Sequence, residues 1–202
     1  VKEASGLRAG QVAEVLVTHD AGERRGSGYL VGPGTVLTAA HVVAGVRRAR
    51  VRFDADRPGE YMNDAQVLWH HKGVDVAVLG VPSRDSLSVS TARFARVPED
   101  DVLLRCSAAG FPRFTLREGQ GGSRLRDCEH VHASCSVPAN RREGTLDLRV
   151  PPPSPAEAGA RSGSPWEGMS GAAVFSDGLI VGVASRHHLT DGRGWRSSWG
   201  AV

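Results

Sequence analysis

An all-β chain of two barrel lobes is the fold class this sequence predicts, on three observations. Short Val- and Leu-rich runs recur along the chain, separated by polar turns. The turns draw on 25 glycines and 11 prolines among 202 residues, a composition that punctuates strands and breaks long helices. The runs amount to about six strands by residue 81, with hardly any helix among them. With 40% hydrophobic and 23% charged residues the chain has the balance of a packed globular domain, and its length allows a sizeable core.

The elements follow in order. Val12–Thr18 is a first strand, followed by a polar turn over Asp20–Arg25. Gly26–Val31 is a second, and Gly32-Pro33-Gly34 turns it back into Thr35–Thr38 as a hairpin. Ala39-Ala40-His41-Val42-Val43 reads as one helical turn. Arg47–Asp54, Ala65–Trp69 and Val74–Val81 are three more strands, with turn residues running up to Asp64. Six short strands suit a small closed barrel, because closure removes exposed sheet edges. Pro82–Asp101, rich in Ser, Pro and charge, reads as a linker. A second strand set begins with Val102–Gly110 and continues through Cys128–Val137, Thr145–Val150, Ala172–Phe175 and Leu179–Ser185. Pro151–Pro165 has nothing to pack and reads as a surface loop, and the tail from Thr190 has no assignable pattern. The expected division is 1–90 for the first barrel lobe and 91–202 for the second, with a cleft between them.

Composition narrows the function classes. The net charge is only +3, and the basic residues are almost all arginine, in short clusters such as Arg47-Arg48 that read as solvated strand ends. This gives no nucleic-acid footprint. No apolar run reaches membrane-spanning length, and Val1–Gly10 lacks the apolar stretch of a secretory signal. Cys106, Cys128 and Cys135 are too few, and odd in number, for a disulfide framework, which points to a reducing compartment and hence a cytoplasmic location.

Three residues carry the chemistry. Ser170 stands between Gly168-Met169 and Gly171, before a strand; glycines there allow a tight turn that presents a hydroxyl beside backbone donors. His41 follows the hydrophobic Val36-Leu37-Thr38 and two alanines. Asp75 is one carboxylate in the otherwise apolar Val74–Leu79, and a buried carboxylate needs a partner. Asp75 accepting from one ring nitrogen of His41 leaves the other nitrogen to take the Ser170 proton. Singly, each has an ordinary reading as a turn serine, a packed histidine or a turn aspartate. Together, in the order His, Asp, Ser on an all-β background, they point to acyl transfer. An α/β-hydrolase elbow at Gly168–Ala172 fails, because that fold places its acid and histidine after the serine.

The stretches Gly26–His41, Asp75–Leu79 and Gly168–Gly171 resemble the chymotrypsin-fold, trypsin-like serine peptidases, most closely their short bacterial members. The likeness spans about residues 12 to 188. It implies two six-stranded antiparallel β-barrels side by side, with the active site in the cleft. It implies His41 as general base, Asp75 as its orienter and Ser170 as nucleophile. The backbone N–H groups of Gly168 and Ser170 would form the oxyanion hole. By a gapless count it places Ser164 at the base of the primary specificity pocket, and Val183-Ala184-Ser185-Arg186 as the segment that pairs with substrate backbone. An uncharged Ser164 disfavours a strong preference for Arg or Lys. Two departures stand out. Met169 occupies the position of the acid that, in many members, pairs with a new N-terminus after activation, and Val42 replaces a common cysteine.

Outside this set, Cys128, His130, His132 and Cys135 invite three readings: a zinc site, a Cys128–Cys135 disulfide, or ordinary strand residues. Their spacing is not that of a standard zinc motif, and no metal or other cofactor is expected. His70-His71 and His187-His188 read as strand-end or loop residues, with the latter pair placed to line the cleft. The expected activity is serine endopeptidase hydrolysis of polypeptide substrates through an acyl-enzyme, restrained by a regulatory partner or a fused domain. The alternative is a catalytically silent binding or scaffold module of the same fold.

Overall fold

The computed structural model describes residues 6–20, 22–55, 57–83, 89–97, 100–118, 124–137, 144–151, 164–187 and 194–198. A short 3₁₀ turn at Ala9–Gln11 leads into β1 (Val12–His19), β2 (Gly22–Gly32), β3 (Thr35–Thr38), β4 (Arg48–Phe53), β5 (Tyr61–His71) and β6 (Val76–Gly80). These six close into an antiparallel barrel in the order β1-β2-β3-β6-β5-β4, with the single helical turn α1 (Ala40–Val43) at its rim. The second lobe contains β7 (Leu103–Gly110), β8 (Leu116–Glu118), β9 (Arg124–Arg126), β10 (Glu129–Ser136), β11 (Thr145–Arg149), β12 (Ala173–Ser176), β13 (Leu179–His187) and β14 (Gly194–Ser198). A second closed barrel runs β10-β11-β14-β13-β12-β7, and β8 and β9 form a separate two-stranded hairpin. The expected double barrel is therefore the observed one.

Alternation along the strands builds each core. Val15, Val51, Phe53 and Leu79 are fully buried in the first barrel, and Cys135, Leu146, Leu148 and Val174 in the second. Each such side chain contributes about 1.5–3 kcal/mol on removal from water. The barrels also pack on each other: Tyr29 of β2 meets Phe175 of β12 edge-on, with centroids 5.0 Å apart. Phe111, Ala173, Phe175, Ile180 and Val183 join the first barrel's apolar cluster from the far side.

Several boundaries differ from the sequence expectation, for physical reasons. The turn expected over Asp20–Arg25 is confined to its start, because β2 already begins at Gly22. Arg24 and Arg25 pair in the ladder with Val17 and Leu16, and Arg25 Nη1 donates to the fully buried Glu14 at 3.0 Å. Arg52 donates to the other oxygen of Glu14 from Nε at 2.9 Å and Nη2 at 2.6 Å, so two guanidiniums neutralise one buried carboxylate. Likewise β5 starts at Tyr61 rather than Ala65, since Tyr61 stacks on Phe53 at 4.9 Å. The linker between the lobes is strapped down where it is described. Ala92 N–H donates to Val31 O of the first barrel at 2.8 Å, while Ala95 N–H donates to Ile180 O of the second at 3.0 Å. The tail that showed no pattern contains β14, which closes the second barrel by pairing with β11 and β13. The loop expected over Pro151–Pro165 falls mainly on 152–163, outside the described residues. Among the described residues no helix is long and apolar enough to cross a membrane.

Candidate active site

The pairing of β3 with β6 brings His41 and Asp75 together. Thr38 stands opposite Ala77, so the residue three places after the one lies beside the residue two places before the other. Asp75 does not sit in the strand; it occupies the turn before β6, at φ +51, a left-handed conformation that Asp tolerates better than most residues. Its carboxylate clasps His41 twice. The His41 backbone N–H donates to Oδ1 at 2.8 Å, and ring Nδ1 lies 2.7 Å from Oδ2. An ionised carboxylate can only accept, so Nδ1 carries the hydrogen and Nε2 is left with a lone pair. The ring projects from the rim, with the His41 side chain 47% exposed and that of Asp75 only 17%.

Ser170 lies in the turn that precedes β12. Glu167 N–H donates to Ser164 O at 3.2 Å, Met169 N–H to Trp166 O at 3.0 Å and Ala172 N–H to Met169 O at 3.0 Å, a chain of tight turns. Glycine is obligatory at two points. Gly168 has φ +102, and a Cβ there would collide with Arg126 Nη1 and Phe111 O. Gly171 has φ +94, and a Cβ would collide with Ser27 O and Thr38 Oγ1 and come 3.1 Å from Ala39 N. That close approach seats the Ser170 turn against the segment leading into His41. Among the described residues, the N–H groups of Gly168 and Ser170 donate to no protein acceptor, while those of Glu167, Met169, Gly171 and Ala172 all do. The Ser170 hydroxyl donates to Ser185 O of β13 at 3.2 Å.

A residue that sequence reasoning missed joins the two halves of the site. Ser27 of β2 is fully buried. Its N–H donates to Ser170 O at 2.7 Å, its Oγ donates to Gly168 O at 2.7 Å, and that Oγ accepts from Phe111 N–H at 2.9 Å. Thr38 Oγ1 donates in turn to Ser27 O at 2.7 Å. The signal was present in Gly26-Ser27-Gly28, a serine between glycines inside a strand, where a neighbouring backbone must come close. Met169 packs its side chain, 2% exposed, into the second barrel's core. No charge therefore enters the turn from that position.

Ser164 is half-buried at the entrance to the serine turn, and its Oγ accepts from Trp166 N–H at 3.1 Å. Val183 and Ala184 are buried in the barrel wall. Val183 pairs with Ala173 and Ser198; Ala184 pairs with Ser197, donates to Ala172 O and accepts from Gly171 N–H. Their backbone is spent on the barrel, which corrects their placement in the substrate-pairing segment. β13 comes clear of β12 at Ser185, and Arg186 continues along β14 opposite Arg196. Cys135 is fully buried in the second core, on the opposite face of β10 from His130 and His132, whose exposed rings lie 4.7 Å apart. Cys128 is exposed, and all three cysteines are free. The four residues weighed as a zinc site or a disulfide do not converge. Among the described residues no three potential ligands gather in a metal-binding geometry. His71 Nδ1 accepts from Val74 N–H at 3.2 Å at the end of β5, and His188 lies outside the described residues.

Comparison with known proteins agrees with this architecture. A sequence profile of the trypsin-like peptidase domain matches residues 26–183, which include His41, Asp75 and Ser170. The chain belongs to the trypsin-like peptidases. It is accordingly a serine endopeptidase, a hydrolase on the chymotrypsin-type double barrel. No curated protein matches it in sequence. Solved structures share the fold at low identity. The active form of the Rv3671c protease from M. tuberculosis superposes with a TM-score of 0.66 at 19% identity, covering 95% of this chain and 77% of that one. The serine endoprotease from Yersinia pestis gives 0.68 at 16%, with 98% of this chain and 62% of that one. The thermostable serine protease AL20 from an extremophilic microorganism gives 0.66 at 14%, covering 95% and 91%. The trypsin-like domain here thus spans less than two-thirds of the Yersinia protein's length.

Proposed function

We propose that this peptidase cleaves polypeptides with Ser170 as nucleophile, His41 as general base and Asp75 as the group that orients the histidine. The observation that carries this reading is the two-point clasp of His41 by Asp75, beside a serine turn whose Gly168 and Ser170 N–H groups are unspent. As a substrate carbonyl enters, the Ser170 hydroxyl turns from Ser185 O to His41 Nε2. The ring takes its proton while Oγ attacks the carbonyl carbon, and Asp75 stabilises the resulting imidazolium. The developing oxyanion accepts from the Gly168 and Ser170 N–H groups, which prefer the tetrahedral species to the planar carbonyl. His41 returns the proton to the leaving amine, and water hydrolyses the acyl-enzyme by the same path. Freed by the hydroxyl's rotation, Ser185 O accepts from the substrate backbone, which lies along Ser185–Arg186. Ser164 gives the primary pocket an uncharged floor, so preferred side chains there are uncharged.

Met169 supports no ionic switch of the turn, so restraint of the activity falls to a partner or a fused domain. Three free, sparse cysteines suit a reducing compartment, and we place the protein in the cytoplasm. A fluorophosphonate probe beside a Ser170→Ala control tests the central assignment. Labelling that disappears with the substitution is the expected result. A chain that resists labelling under varied conditions returns the reading to a silent binding module. A peptide panel dominated by cleavage after Arg or Lys would refute the pocket assignment.

A further inference from the structure

Arg126 ends β9 and is 6% exposed, a buried cation beside the serine turn. Its Nη1 donates to Phe111 O at 3.2 Å and to Glu167 O at 3.0 Å, and its Nη2 lies 3.9 Å from Glu167 Oε1. Burial pulls its pKa down, and the Glu167 carboxylate opposes that shift. Among the described residues its buried Nε has no hydrogen-bond partner. A buried guanidinium is costly to install, so what it grips matters.

Glu167 O belongs to the Glu167–Gly168 peptide, whose other end is the Gly168 N–H. In a planar trans peptide the C=O and N–H point opposite ways. Gripping the oxygen on the protein side therefore turns the hydrogen toward the cleft. Flipping this peptide would move Gly168 from φ +102 to a negative φ. Glycine accepts both about equally, so the backbone itself supplies no preference. The next carbonyl, Gly168 O, is held by Ser27 Oγ, but that bond fixes the Gly168–Met169 peptide and leaves the preceding one free to turn. The Met169 side chain, apolar and buried, makes no hydrogen bond to the Glu167–Gly168 peptide, and its N–H, donated to Trp166 O, belongs to the Gly168–Met169 peptide.

We propose that Arg126 is the positioning residue of the oxyanion site, holding the Glu167–Gly168 peptide with its N–H aimed at the substrate carbonyl. The proposal rests on Gly168 and Ser170 N–H as the oxyanion donors. It also makes the β8–β9 hairpin part of the active-site apparatus. The hairpin reaches the first barrel through Arg25 Nη2, which donates to Arg124 O at 2.8 Å, and the serine turn through Arg126.

The experiment compares wild type with Arg126→Met and Arg126→Lys. It measures kcat and KM on a fluorogenic peptide, per active site titrated with fluorophosphonate, together with the affinity of a peptidyl boronate and a thermal melt. Methionine keeps the stem without donors; the lysine ammonium stops about one bond short of Nη1 and loses the same contact. A donor that acts in the transition state moves kcat and leaves KM alone. The expectation is a ten- to hundredfold fall in kcat for both variants, KM within threefold of wild type, and boronate affinity weakened in step with kcat/KM. A merely structural role would lower the titrated active-site fraction and leave kcat per site unchanged. Should the methionine variant fail to melt cooperatively, the lysine variant decides. A folded lysine variant with kcat within twofold of wild type overturns the proposal, as does failure of both to fold. A wild-type protein that resists fluorophosphonate and cleaves nothing sinks the Ser170 assignment instead, and the positioning role with it.

Discussion

Replacing Ser27 with alanine removes one oxygen that serves both barrels. Its Oγ donates to Gly168 O at 2.7 Å and accepts from Phe111 N–H at 2.9 Å in a position with 0% exposure. The substitution leaves a carbonyl and an N–H buried with no partner in reach, each at a cost of about 1–3 kcal/mol. Partial relaxation around the small void recovers some of this, so a loss of about 2–4 kcal/mol is expected. Urea unfolding followed by tryptophan fluorescence measures it as a lower midpoint at unchanged slope. Because Gly168 O is released, the turn also loses part of its fixed shape, and kcat per titrated site should fall about tenfold, equivalent to about 1.4 kcal/mol. Thr35→Val is the control, since Thr35 Oγ1 donates only to the exposed Pro33 O of its own turn at 3.3 Å. A Ser27→Ala protein within about 0.5 kcal/mol of wild type, with unchanged kcat, would refute the reasoning.

Further expectations follow from other contacts. Gly171→Ala forces a Cβ into Ser27 O and Thr38 Oγ1 at φ +94, and should cost about 3 kcal/mol or more, read by thermal melts; a normal melt would contradict the geometry. Asp75→Asn should lower kcat about 10³–10⁴-fold with little change in KM, because the amide favours the wrong tautomer of His41; a tenfold loss or less would remove Asp75 from the mechanism. Glu14→Gln removes the fully buried carboxylate shared by Arg25 and Arg52 and leaves the partly exposed Glu60, 3.8 Å from Arg52 Nη1, as a remaining counter-charge; it should destabilise by about 3 kcal/mol, with a stability loss under 1 kcal/mol counting against a paired charge at Glu14. Burial pushes the Cys106 thiol up to about 12 and Cys135 up to about 11, from an ordinary 9.0. Unfolded thiols ionise first, so stability should hold below about pH 9 and then decline as pH rises, by at most about 1.4 kcal/mol per pH unit for each thiol. Cys106→Ala should flatten that decline, and an equally steep curve in the variant would exclude the thiol as its source.

Much of the fold was legible because alternation and turn residues are local. Val12–Thr18 and Thr35–Thr38 are short apolar runs bounded by polar turn residues, and strands appear at both, over Val12–His19 and Thr35–Thr38. His41, Asp75 and Ser170 stood out as candidates only together, by their order on an all-β background, and the pairing of β3 with β6 then sets Asp75 against His41. What escaped was set by distant partners. Gly194–Ser198 is a strand because β11 and β13 flank it, with only Trp195 to suggest one from within. Leu116–Glu118 and Arg124–Arg126 pair with each other outside either barrel, so no apolar face marks them. The spacing of Cys128, His130, His132 and Cys135 already spoke against zinc; what the sequence did not show is that β10 continues through Cys135, so that no turn brings it back to the histidines. Odd and even positions of β10 face opposite ways, and 135 is on the inner side. Arg126 reads as one more surface charge until Phe111 O and Glu167 O are found around it.

The bond from Ser27 to Gly168 spans 141 positions of sequence, and the one from Ser27 to Phe111 spans 84. Loop-closure entropy opposes contacts of that range, so they are expected to form after the nearer pairings within each barrel. A nascent chain, or a fragment carrying only the second barrel, has the sequence of the Ser170 turn without the strand that shapes it. The shape of the serine turn is thus a property of the whole molecule, set where its two halves meet.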